Sequence, residues 1–150
     1  MKKIVIAAAL CLSVAAYAQD TDKKGVSTNP FFTEYSTPYG VPPFEKITVN
    51  DYREAILKGI EEHKKEIETI ANQSAAPTFE NTIVAMDKSG KLLSKVQIVF
   101  GGQNGANTNP ELQALSKEMA ALLSAHGDDI SMNAKLFARV KQIYNDREKL

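Results

Sequence analysis

Apolar side chains recur every three or four positions through most of the chain after residue 47, which is the spacing of amphipathic α-helices. The first predicted helix begins at Thr48, where a threonine N-cap and Asp51 three residues later can form a capping box. Asn72 is its predicted end, before a polar turn. Its apolar face consists of Tyr52, Ile56, Gly59 or Ile60, His63, Ile67 and Ile70.

A second helix is predicted from the N-cap Thr78 to Phe100, with Gly101 and Gly102 as its end. Gly90 interrupts its apolar face. Because glycine costs about 1 kcal/mol relative to alanine inside a helix, we expect another backbone to cross closely at Gly90. The face consists of Phe79, Ile83, Met86, Gly90, Leu93, Gln97 and Phe100.

The third predicted helix has Asn109 as N-cap, Pro110 in its first turn and Gly127 as C-cap. Its apolar face consists of Leu112, Leu115, Met119, Leu122 and His126. A fourth helix begins near Asn133 and keeps its apolar phase to the last residue, so we interpret the helical region 48–150 as truncated at its C-terminal end. The fourth face consists of Leu136, Val140, Ile143, Arg147 and Leu150.

Residues 29–47 contain four prolines and five aromatic side chains. Proline fixes φ and lacks an N–H donor, so this segment is predicted to be an extended arm whose aromatic residues pack onto the helices. The sequence shows neither the alternation of a half-buried strand nor a sustained heptad repeat. The predicted fold class is therefore all-α, with about four amphipathic helices in a bundle preceded by a Pro/aromatic-rich extended arm.

The first eighteen residues have the pattern of a secretory signal peptide: Lys2 and Lys3, a short apolar run, and an Ala-Tyr-Ala cleavage site ending at Ala18. The apolar run is too short for the roughly 20 residues that span a bilayer. Residues 19–28 are a predicted flexible linker. We therefore expect export, and a periplasmic location after signal removal.

Removal of the signal peptide leaves no cysteine, so neither a disulfide framework nor a thiolate metal site is expected. It also leaves 16 basic and 18 acidic side chains, a net charge of −2 with neutral histidines. Without a basic stripe, the mature chain is expected to bind neither nucleic acid nor a membrane.

Several short motifs, in their order and spacing, are more specific than these patterns. Together they resemble the N-terminal region of the thimet-oligopeptidase-like zinc metallopeptidases, in the bacterial peptidyl-dipeptidase (dipeptidyl carboxypeptidase) branch. The motifs are Asn29-Pro30-Phe31-Phe32, Pro42-Pro43-Phe44 with Lys46-Ile47, Pro77-Thr78-Phe79-Glu80-Asn81-Thr82-Ile83, Ser89-Gly90, Ala106-Asn107-Thr108-Asn109-Pro110 with Leu112-Gln113, and Leu136-Phe137-Ala138-Arg139-Val140.

The resemblance implies a larger helical peptidase fold with a deep channel that admits short peptides. Members of that family release dipeptides from the C-termini of oligopeptides, with zinc held by a downstream catalytic region that is missing from this much shorter chain. On this interpretation the chain contributes channel wall and substrate access only. The alternative is a stand-alone periplasmic helical module that binds a peptide or a protein without catalysis.

The zinc peptidases that the chain resembles bind their metal with H-E-x-x-H on a helix, and the two histidines here do not form that motif. His63 and His126 are far apart in sequence, and each is predicted to be a partly buried ring with a hydrogen-bonded nitrogen. A metal site would require folding to bring both together with carboxylates. We therefore assign no catalytic, cofactor-binding or metal-binding residue to this chain.

Other candidate groups have simpler explanations. Glu62 and Glu66 stand one helical turn apart, as an acid/base pair would, but a solvated helix face accounts for them. Asp128 and Asp129 follow Gly127 and are predicted to form a polar turn rather than a cation site. The glycine-rich segment 101–105 lacks the Lys-Ser/Thr ending of a phosphate-binding loop and is predicted to be a flexible connector.

Overall fold

The computed structural model describes residues 29–149, which form an all-α structure without β-strands in that range. The fold class is thus as predicted. The described helices are α1 (Val49–Ala71), a π-helical turn (Phe79–Val84), α2 (Ala85–Asp87), α3 (Lys91–Ala106), α4 (Pro110–Ser131) and α5 (Ala134–Asn145), with 3-10 turns at Pro30–Phe32, Pro38–Gly40, Phe44–Lys46 and Arg147–Lys149.

Helix α1 is the central element, and α3, α4 and α5 all pack against it. Its start is as predicted: Thr48 Oγ1 accepts from the Asp51 backbone N–H, and the Asp51 carboxylate accepts from the Thr48 N–H. Asn72 occupies the C-cap. The N-cap of α4 is Asn109, as predicted. Asn133, near which the fourth helix was expected to begin, is the N-cap of α5.

The second helix was predicted as one continuous helix ending at Gly101 and Gly102, and both parts of that prediction are wrong. Thr78 caps the π-helical turn as expected, but Gly90 has φ +67°, a left-handed conformation that stops the first segment before α3 begins. Helix α3 then continues through Gly101 and Gly102 to Ala106, so residues 101–105 are helical rather than a connector.

The close helix crossing lies at Gly59, not at Gly90 as predicted. A Cβ atom built on Gly59 would lie 2.9 Å from the Leu93 Cα, so α1 and α3 touch backbone to backbone there. A Cβ on Gly90 would instead meet the His63 ring, with 2.9 Å to Nδ1.

Two further predicted helix ends are wrong. Helix α4 passes through Gly127 to Ser131, and Asp128 and Asp129 belong to this helix rather than to a turn. Helix α5 ends at Asn145 and a 3-10 turn follows, so the apolar phase does not continue through Arg147, which is exposed. Residues 1–28, with the predicted signal peptide and linker, and Leu150 lie outside the described residues.

Buried apolar side chains form two clusters along α1. The first cluster joins the arm, α3 and the first half of α4 to the first half of α1 and consists of Phe31, Tyr52, Ala55, Ile56, Leu93, Val96, Leu112, Leu115 and Met119. The second cluster joins α5 to the end of α1 and consists of Ile67, Ile70, Ala71 and Leu136. None of the described helices has both the length and the apolar character needed to cross a bilayer.

The arm is less extended than predicted, because 3-10 turns divide it, but its first part packs as expected. Asn29 Nδ2 donates to the Asp51 carbonyl and to Glu54 Oε2, which ties the arm to α1. Phe31 is buried against Tyr52, with ring centroids 5.3 Å apart. Tyr39, by contrast, is fully exposed in a left-handed conformation.

Candidate functional site

Folding brings the two histidines together although 63 residues separate them in sequence. His63 on α1 and His126 on α4 approach with 3.0 Å between His63 Nδ1 and His126 Nε2. Their rings meet edge to face, with centroids 5.0 Å apart. His126 is buried and His63 is partly buried, so each is a partly or fully buried ring with a hydrogen-bonded nitrogen, as expected.

The turn before α3 completes this histidine cluster, which we define as His63, His126 and Ser89. The Ser89 hydroxyl lies 3.0 Å from His63 Nε2 and donates to the Met86 carbonyl at 2.7 Å. On the other side of the turn, Glu66 Oε2 accepts from the Gly90 N–H at 2.6 Å. Glu66 therefore holds the start of α3, in addition to lying on the predicted solvated face of α1. Glu62 remains on the surface of α1, with its Oε1 3.9 Å from Lys58 Nζ.

Burial is the main cause that lowers the pKa of His126, and positive charge on His63 and Lys64 acts in the same direction. Asp129 acts the opposite way, but it is paired with Lys64 at 2.8 Å, and that bond holds the pKa of Asp129 below its ordinary value. Burial and the neighbouring positive charges therefore favour the neutral form of the His126 ring.

The cluster does not fit the zinc site of a metallopeptidase. Catalytic zinc needs three protein ligands and an open position for water. Within residues 29–149 no group of three or more His, Cys, Asp or Glu side chains is placed to hold a metal ion. The nearest carboxylates, Glu66 and Asp129, are already engaged with Gly90 and Lys64.

Arg139 forms a second polar cluster, which was not predicted from the sequence. This buried guanidinium donates from Nε to Thr82 Oγ1, from Nη2 to Asn81 Oδ1, and from Nη1 to the carbonyls of Gln73 and Ala75. It joins α5 to the loop after α1 and to the π-helical turn. The sequence signal that could have indicated its burial is its spacing: Arg139 lies three residues after Leu136 and four before Ile143, on the same helix face.

The arm also borders an open groove of about 340 Å³ beside α1 and α3. Lys95 Nζ donates to the carbonyls of Phe31 and Thr33 and lies 4.0 Å from the centre of the Tyr35 ring. Burial lowers the pKa of Lys95, while Glu34 opposes that shift. These lysine contacts fasten the arm to α3.

Comparison with known proteins assigns this helical region. Residues of the chain are 42% identical over 125 positions to the dipeptidyl carboxypeptidase of Salmonella typhimurium, covering 83% of this chain and 18% of that enzyme. They are 40% identical over 122 positions to the dipeptidyl carboxypeptidase of Escherichia coli, covering 81% and 18%. This chain carries a peptidyl-dipeptidase-like N-terminal region.

A more distant match supports the same assignment. Oligopeptidase A of Escherichia coli is 23% identical over 116 positions, covering 77% of this chain and 16% of that enzyme. No protein-family model matches the chain. The chain spans less than a fifth of the length of the curated relatives it matches.

Proposed function

We propose that this chain is the N-terminal helical part of a secreted zinc metallopeptidase that releases dipeptides from the C-termini of oligopeptides. The identity of 40–42% to two dipeptidyl carboxypeptidases, over more than four fifths of the chain, is the observation that supports this proposal. In the complete protein these helices form channel wall and control substrate access. Zinc and the residues that hydrolyse the peptide belong to the downstream catalytic region.

A chimeric enzyme tests this function. The matched segment of the Salmonella typhimurium dipeptidyl carboxypeptidase is replaced by the helical region of this chain, and dipeptide release from a blocked tripeptide is measured with and without a chelator. We expect chelator-sensitive release by the chimera and none by the same enzyme with the segment deleted. A folded chimera without activity would contradict the proposed role in the peptidase.

The isolated chain provides the complementary test. It should neither cleave blocked tripeptides nor retain stoichiometric zinc after dialysis, because H-E-x-x-H is absent from its sequence. Metal-dependent, chelator-sensitive turnover by the purified chain would contradict the assignment of catalysis to the downstream region.

The proposed export is tested separately. The pattern of residues 1–18 supports cleavage after Ala18. We expect the protein to be recovered from the periplasmic fraction with Gln19 as its first residue, as measured by N-terminal sequencing. An intact Met1 on cytoplasmic material would contradict secretion.

A further inference from the structure

The histidine cluster lies between the two apolar clusters of the fold. Along α1, Ile60 packs against the first cluster and Ile67 belongs to the second, and His63 lies between them. Along α4, Leu123 packs against the first cluster and Ile130 against the second, and His126 lies between them. One polar layer thus separates two apolar layers at the same level of both helices.

Hydrogen-bond donors run in one direction through this layer. The Ser89 hydroxyl proton is used toward the Met86 carbonyl, so Ser89 Oγ must accept from His63 Nε2–H. His63 Nδ1 is then the acceptor, and His126 Nε2–H donates to it. Both rings are therefore neutral Nε2–H tautomers. His126 Nδ1 remains as a buried nitrogen for which the described residues supply no hydrogen bond.

The rings have little room to move within the closed layer. His63 can lie against the turn because Gly90 has no Cβ atom. Glu66 on α1 holds the turn in place by accepting a hydrogen bond from the Gly90 N–H. On the α4 side, the Lys64 and Asp129 pair spans the two helices beside His126. His63, Lys64 and Glu66 on α1, and Asp129 on α4, are the charged and titratable groups that face His126 and the turn.

We propose that the histidine cluster is an acid-sensitive joint, at which protonation releases the second half of α4 from α1 while the first apolar cluster stays packed. A proton on His63 Nδ1 would place two N–H groups against each other across 3.0 Å. A proton on His126 Nδ1 would create a buried cation with no acceptor among the described residues. Both protons are accommodated once the rings reach water.

The difference between the two halves of α4 explains why release is local. Leu112, Leu115 and Met119 hold its first half in the core of the first cluster. Leu123 still packs against the first cluster. Beyond Leu123, α4 is held by His126, by Ile130 and by the surface pair of Lys64 with Asp129. Surface ion pairs contribute little, so the histidine cluster decides whether this half stays closed.

Nuclear magnetic resonance of the whole chain tests the joint, since these two are its only histidines. Long-range ¹⁵N spectra at about pH 7.5 should show both rings as Nε2–H tautomers. Amide protection in residues 124–131 should then fall, below an ordinary imidazole pKa of about 6.5, about tenfold per pH unit for each ring that takes up a proton on release. Protection around Ala55 in α1 and Val96 in α3 should change less than about twofold.

A paired substitution gives the matched control. In the double variant His63→Asn with His126→Gln, amide groups replace the facing nitrogens without titrating, so the pH dependence of protection should disappear. Ser89→Ala should retain the pH dependence but lose the fixed tautomer of His63. An Nδ1–H tautomer on either ring of the native chain, or equal loss of protection in both apolar clusters, would overturn the proposal, whether or not the double variant folds.

Discussion

Gly59 and Gly90 show how one residue type has different structural roles at two positions. Gly59 has helical geometry and is required by space, because α3 passes directly over it. Gly90 is required by conformation as well, because its φ of +67° is strained for other residues. In contrast, a Cβ on Gly102 in α3 would have nothing within 4 Å.

The substitution Gly59→Ala should lower the free energy of unfolding by about 1–3 kcal/mol, because the new methyl group would press on the Leu93 backbone. Gly102→Ala is the matched control in the same helix pair. It should raise the free energy of unfolding by about 0.5–1 kcal/mol, through helix propensity alone. Urea unfolding measures both, and equal effects would show that the helices do not cross at Gly59.

Arg139→Met should lower the free energy of unfolding by about 2–4 kcal/mol, because four acceptors on two segments lose their donor. Arg139→Lys should rescue little of this loss, since one ammonium cannot reproduce the planar guanidinium. Exposed Arg147→Met is the control and should change the value by less than about 1 kcal/mol. Thermal unfolding measured by circular dichroism distinguishes these outcomes.

At the scale of elements, the sequence predicts helix starts better than helix ends, although the end at Asn72 is confirmed and the start of α3 was not predicted. Thr48, Thr78 and Asn109 are N-caps as predicted, and α5 begins after Asn133 as expected, because a cap is made with backbone a few residues away. Gly127 and the glycines at 101–102 do not end their helices. Beyond Gly127, Asp129 pairs with Lys64 of α1 and Ile130 packs against the second apolar cluster. An isolated glycine weakens a helix without deciding where it ends.

The cap of α4 offers a direct test at this scale. Asn109 Oδ1 accepts from the Leu112 N–H at 2.8 Å, so Asn109→Ala should lower the free energy of unfolding by about 1 kcal/mol. Gln113→Ala, at an exposed position one turn later, should leave it within about 0.5 kcal/mol. Urea unfolding is again the measurement. An unchanged free energy of unfolding in Asn109→Ala would mean that the cap hydrogen bond does not contribute to stability.

At the scale of the whole molecule, two apolar clusters share α1 and meet at a polar layer. This arrangement makes stability depend on pH through a buried base. Because burial lowers the pKa of His126 in the folded chain, the unfolded chain binds the proton more readily. The neutral His126 ring therefore contributes its full stability at pH values above the pKa of His126 in the unfolded chain. This contribution is lost as the pH falls toward the lower pKa of His126 in the folded chain.

The free energy of unfolding should accordingly stay constant above about pH 7, decline below about pH 6.5, and level off under the folded pKa of His126. His126→Gln should weaken this decline. The lowered pKa values of Glu61, Glu118 and Asp129 act in a separate, more acidic window. Urea unfolding at a series of pH values measures this curve. A free energy of unfolding that rises as the pH falls below about 6.5 would contradict the predicted role of His126.

The site was less predictable than the fold, because its side chains meet in space although they are far apart in sequence. Local hydrophobic spacing placed His63 and His126 on the inner faces of their helices, but it could not show that the two rings lie 3.0 Å apart. The same is true of Arg139, whose acceptors lie 57 to 66 residues away. Partners at such separation are selected by helix packing, which sequence periodicity does not encode.

The sequence alone determined the all-α class, the helix caps and the resemblance to peptidyl-dipeptidases, because these depend on neighbours within a few residues or on the order of short motifs. Tertiary structure alone decided where Gly90 breaks the second helix, where α1 and α3 touch, and how two distant imidazoles join in one polar layer. These features depend on which faces of the helices meet, and that choice is made by packing the whole set of side chains at once.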